Sequence, residues 1–112
     1  MKKSKGNIIN LDDYRDPKAK VLTGRDRGET VRKQSNLDKI EASNSTVIIE
    51  IPSDMYSINP SFFEELLVNV VLKLGKEEFF KKFSIKSEGN FPYENSLNEA
   101  VERILRNKTA ID

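Results

Sequence analysis

Thr46-Val47-Ile48-Ile49-Glu50-Ile51-Pro52 is the stretch on which the fold turns. Its residues are β-branched and mostly apolar, and Pro52 ends it. A continuous apolar run suits a strand covered on both faces, the natural centre of a small sheet. Downstream, Phe62, Leu66, Val70 and Leu74 fall on an i, i+4 ladder, with Phe63, Leu67 and Val71 on a second ladder beside it. That double stripe predicts a helix whose broad apolar face meets a core, with Gly75 as its stop. Its start reads two ways. Asn59 caps with Pro60 at the first helical position, or Ser61 caps and Glu64 returns the bond as a capping box. Both place Ser61 in the first turn.

Further along, Lys76–Lys82 predicts a short helix carrying Phe79 and Phe80, and Phe83-Ser84-Ile85-Lys86-Ser87 alternates as a strand. Glu88–Pro92 reads as a turn. A last helix runs from about Ser96 to Asn107, with Leu97, Val101, Ile104 and Leu105 on one face and a Ser96/Glu99 capping box. Upstream, Ile8-Ile9-Asn10-Leu11 predicts a strand, Asp12–Pro17 a loop, and Lys20-Val21-Leu22-Thr23 a second strand closed by Gly24. Gly28–Gln34, continued by Leu37 and Ile40, reads as a helix with a weak apolar face. Strands alternating with helices predict an α/β fold: a small four-stranded, mostly parallel sheet with helices packed on it.

The chain has 112 residues, enough for one core. It lacks Cys, His and Trp. That excludes disulfides, thiolate or imidazole metal sites, and Ser-His or Cys-His catalytic pairs. No set of Asp and Glu has metal-loop spacing, so neither catalytic residues nor a metal or other cofactor are expected. No apolar stretch approaches the roughly 20 residues that span a bilayer, and the basic start is followed by no apolar signal segment. The expectation is a cytoplasmic protein without membrane contact. Residues 1–40 hold eleven basic and six acidic groups, while residues 41–112 hold eight and twelve. The division predicts a flexible basic N-terminus over 1–7, a domain over 8–107 and a C-terminal tail over 108–112.

Ser61 needs only to be a cap or first-turn residue, and a capping serine can still be a target for modification. A phosphate there would meet free backbone N–H groups at the positive end of a helix dipole. It would also change the charge of any contact surface by nearly two units. Glu64 and Glu65 are neighbours on the helix and read as exposed charges. Arg25, Arg27, Arg32 and Lys33 are candidate contacts to an anionic ligand, although Asp26 and Glu29 among them suit a solvated mixed-charge face. Gly24 and Gly28 lack the Gly-Lys-Ser/Thr ending of a P-loop.

Three stretches together resemble the STAS-like domains of unknown function, a bacterial and phage group related to anti-sigma-factor antagonists. Gly24-Arg25-Asp26-Arg27-Gly28-Glu29-Thr30-Val31-Arg32 is similar to the family's glycine–arginine loop and Gly-Glu-x-x-Arg helix start. Val47–Ile51 stands in the place of its central strand. Asn59-Pro60-Ser61-Phe62-Phe63-Glu64-Glu65-Leu66 is similar to its Ser-Phe-x-x-Glu helix start. The likeness covers roughly residues 7–107. This chain departs from the pattern in having Lys18-Ala19-Lys20 where glycines are common, Asn59 where an acidic residue is usual, and Phe62 where a small one is.

The resemblance implies a regulatory or adaptor protein, not an enzyme, acting by protein–protein binding. It implies a partner of the GHKL-type ATPase/kinase class, or a sigma-regulatory one, and a serine at the place of Ser61 that such a partner phosphorylates. The expected contact surface is Ser57, Asn59, Ser61, Glu64 and Glu65. Two alternatives also fit the sequence. One is a nucleic-acid-binding regulator using the basic front segment, and the other an inhibitor in phage–host conflict. Either a monomer or a dimer fits the sequence.

Overall fold

A computed structural model describes residues 6–15, 21–22, 24–87, 89 and 92–111, with side chains as far as residue 107. In chain order these form β1 (Ile8–Asn10), a 3-10 turn (Leu11–Asp13), β2 (Val21–Leu22), α1 (Arg25–Ser35), α2 (Leu37–Ser43), β3 (Val47–Ile51), β4 (Ser57–Ile58), α3 (Pro60–Lys82), β5 (Phe83–Ser87) and α4 (Glu94–Ile111).

The architecture is α/β, with a small parallel sheet and helices packed on it. The sheet is not one layer of four strands. β3 lies between β1 and β5, both parallel to it, while β2 pairs in parallel with β4 in a separate two-stranded sheet. The divergence starts at Pro52. It has no N–H to continue the ladder, and its carbonyl accepts from the Met55 N–H at 3.1 Å in a turn. The chain then re-emerges as β4, too short to signal itself in sequence, and captures β2 through Val21 opposite Ser57.

β3 is covered on one face only. Val47, Ile49 and Ile51 are buried, whereas Ile48 and Glu50 keep partial exposure. The continuous apolar run therefore overstated its burial. Ile9, from β1, and Phe83, from β5, join the covered face.

α3 is the central helix, packed against α1 and α4. Both of its predicted ladders are used: Phe62, Phe63, Leu66, Leu67, Val70 and Val71 are all buried. Gly75 interrupts it at φ 82°, ψ 168°, and the helix resumes at once to Lys82. Only glycine tolerates that backbone region. Upstream, the single predicted helix is two, because Asn36 adopts a left-handed conformation between α1 and α2. Asn is among the few residues that do so at low cost. α4 starts at Glu94 and ends at Ile111, which puts Ser96 and Glu99 inside the helix instead of at its cap. Lys18–Lys20 and most of the Glu88–Pro92 turn lie outside the described residues, as do residues 1–5.

Candidate functional site: the start of α3

The short β2–β4 sheet aims the start of α3. β4 runs directly into Asn59, whose N–H donates to the Leu22 carbonyl of β2 at 2.9 Å. Asn59 is the N-cap residue, extended at φ −72°, ψ 149°, with Pro60 at the first helical position. Its carbonyl accepts from Phe62 and Phe63, and its side chain makes no capping bond. Of the two readings of this helix start, the Asn59–Pro60 one holds. Ser61 is the second helical residue, half-exposed, and its N–H has no partner among the described residues. Helix geometry leaves early N–H groups without intrahelical acceptors.

The predicted contact residues separate into two groups. Asn59 is exposed, and Ser57 and Ser61 are partly so. Glu64 is not exposed: at 4% accessibility it is one of three buried polar residues among the described residues. Its Oε1 lies 3.4 Å from Arg25 Nη2 and 3.8 Å from Arg103 Nη1, yet it makes no hydrogen bond. Glu65, half-buried, lies 3.4 Å from Arg25 Nη1 and 3.6 Å from Arg32 Nη1. Arg32 also donates to the Glu65 backbone carbonyl. These two carboxylates therefore bind α3 to α1 and α4.

The cations of α1 are correspondingly occupied. Arg25 and Arg32 serve Glu64 and Glu65, and Lys33 pairs with Glu29 at 3.0 Å. Arg25 and Arg27, with Gly24, Asp26 and Thr30, line an open depression of about 590 Å³ at the start of α1. Arg32 and Lys33 are not part of it. Gly28 has a steric reason to be glycine: a Cβ there would sit 2.4 Å from the Phe62 carbonyl oxygen. The stretches 24–32 and 59–66 thus form two halves of one helix–helix contact.

Tyr56 escaped sequence reasoning. It is 78% exposed, immediately before β4, and Val21 on the paired strand is 47% exposed. A tyrosine in a short polar connector between a strand and a helix cap was the available signal. Burial of Glu64 had none, because its arginines lie far away in sequence.

No helix among the described residues is long and apolar enough to cross a membrane. Comparison with protein-family models, with curated proteins and with solved structures finds no match.

Proposed function

We propose that the protein is a non-catalytic regulator or adaptor of the STAS-like type, acting in the cytoplasm by binding a protein partner through the start of α3. The partner class is a GHKL-type ATPase/kinase, and phosphorylation of Ser61 releases it. The observation that carries the reading is the juxtaposition at one helix tip. An exposed tyrosine, a polar exposed cap and a half-exposed serine whose N–H has no acceptor among the described residues follow one another beside the β2–β4 pair. Tyrosine at a free surface is a frequent anchor of protein interfaces. A phosphate on Ser61 would be held by its own N–H and the helix dipole, adding charge where the partner docks.

The Glu64 and Glu65 carboxylates, turned toward the arginines, act as the support of this tip and not as its contact groups. The same pairing engages Arg25 and Arg32 within the fold, while the basic residues before Gly6, on which the nucleic-acid reading also draws, lie outside the described residues.

The test uses the kinase-type ATPase captured from native cells. Ser61→Asp should fold normally and weaken its binding at least tenfold, and Tyr56→Ala should weaken it comparably, while Ser61→Ala retains affinity. Unchanged binding by both Ser61→Asp and Tyr56→Ala rejects the surface.

A further inference from the structure

β5 is an edge strand: its one strand neighbour among the described residues is β3. No described strand pairs with the outer edge of Phe83–Ser87, and an edge of this kind can pair with another extended chain. Beside that edge, between β5, the end of α3 and the start of α4, lies an apolar groove of about 240 Å³. Phe80, Phe83, Ile85, Tyr93 and Leu97 are among its walls, with Glu94 and Asn98 at the same opening. Phe80 is 37% exposed there, a large apolar side chain left in water. The two faces of β5 differ in chemistry. Phe83 and Ile85 point into the groove, so strand alternation sends Ser84 and Lys86 to the opposite face, where both are exposed. Lys86 lies opposite Glu50 in register but makes no ion pair with it.

We infer that this edge is a second binding site, which captures an extended acidic–apolar segment of another protein by adding it as a fourth strand beside β5. Main-chain hydrogen bonds to the free edge supply affinity, and side-chain alternation supplies selectivity. On the groove side the added strand presents large aliphatic or aromatic side chains to Phe80, Phe83 and Tyr93. Glu94 at that opening disfavours an acidic group there. On the other face the strand presents carboxylates to Lys86, which has no ion-pair partner among the described residues. The chemistry selected is therefore strict alternation of apolar and acidic residues. Charge complementarity favours this occupant over a second copy of the chain, since β5 itself would bring another lysine to the same face. The groove borders the end of α3 and the Ser61 surface its start, and the site does not depend on that surface.

The probe is the peptide acetyl-Thr-Ile-Glu-Ile-Glu-Ile-Thr-amide, titrated into the full-length protein by amide-resolved NMR. Saturable shifts are expected across residues 83–87 and at Phe80, Tyr93 and Leu97. Lys86→Glu, a change at an exposed position, should weaken this peptide roughly three- to tenfold and favour by a similar factor the peptide with lysines in place of both glutamates. Absence of saturable shifts overturns the inference. So does a Lys86→Glu protein that treats the two peptides as wild type does. Sedimentation showing a dimer dispersed by Phe80→Ala would also overturn it, assigning the edge to a second copy.

Discussion

Gly28 shows how much one hydrogen atom in place of a side chain can decide. In an exposed helix, replacing glycine with alanine stabilises by about 1 kcal/mol. Here the added methyl would strike the backbone of α3 at Phe62, which cannot swing aside. Gly28→Ala should therefore destabilise by about 1–3 kcal/mol, as overpacking does, seen as a lower urea midpoint. A raised midpoint would mean that α1 does not approach α3 as closely as described. Arg32, one turn further on, completes the contact by donating to the Glu65 carbonyl. A glycine and an arginine four residues apart were visible in sequence as a motif. Their purpose was not, because it depends on a helix more than thirty residues later.

Among the elements, α3 carries the clearest record of what a linear pattern can reveal. Its two ladders and the interruption at Gly75 were legible, because a double apolar stripe and a glycine at its end have few other readings. What holds the two halves of α3 in place was not legible. Glu41 of α2 is 2% exposed and bonds Lys73 Nζ at 2.8 Å and Lys82 Nζ at 2.7 Å, one lysine from each side of the break. Lys82 also donates to the Glu41 carbonyl at 2.8 Å. Burial pushes the Glu41 carboxyl up, but the two lysines outweigh it and hold it below the ordinary value of 4.5.

A carboxylate depressed in the folded state contributes stability that is present above its unfolded value and lost as pH falls through the folded one. Thermal unfolding between pH 7 and pH 3 should accordingly show a loss of stability below about pH 4.5, as the unfolded chain takes up the proton first. Glu41→Gln should lower stability at neutral pH by roughly 2–3 kcal/mol, somewhat under the cost of breaking a fully enclosed pair, because Lys73 still reaches water. It should also flatten the acid limb. An acid limb as steep as wild type would show that Glu41 is not the group responsible. Gly75→Ala separates backbone from packing: no atom crowds a Cβ there, so the expected loss of roughly 1–3 kcal/mol comes from the positive φ alone. Equal stability of the variant and wild type would contradict the break.

For the whole molecule, the alternation of strands and helices made the α/β class readable, and β3 and β5 lie where the sequence placed them. The sheet's division was hidden, because β4 is two residues long and its partner β2 no longer. Strands so short carry no periodicity, only the turn at Pro52 that diverts the chain. Part of the charge asymmetry is met inside the fold. Within the described residues, Arg25 and Arg32 of the basic front meet Glu64 and Glu65 of the acidic rear. The opposing charges draw the two parts of the chain together.

That union supports the tip formed by Tyr56, Asn59 and Ser61, and recognition of the tip is the centre of the account. Hydrogen–deuterium exchange of the protein, free and bound to the kinase-type ATPase proposed as its partner, addresses it most directly. Protection concentrated over residues 55–63, and lost when Ser61 is phosphorylated, is the expected result. Protection elsewhere, with residues 55–63 exchanging as in the free protein, would contradict it.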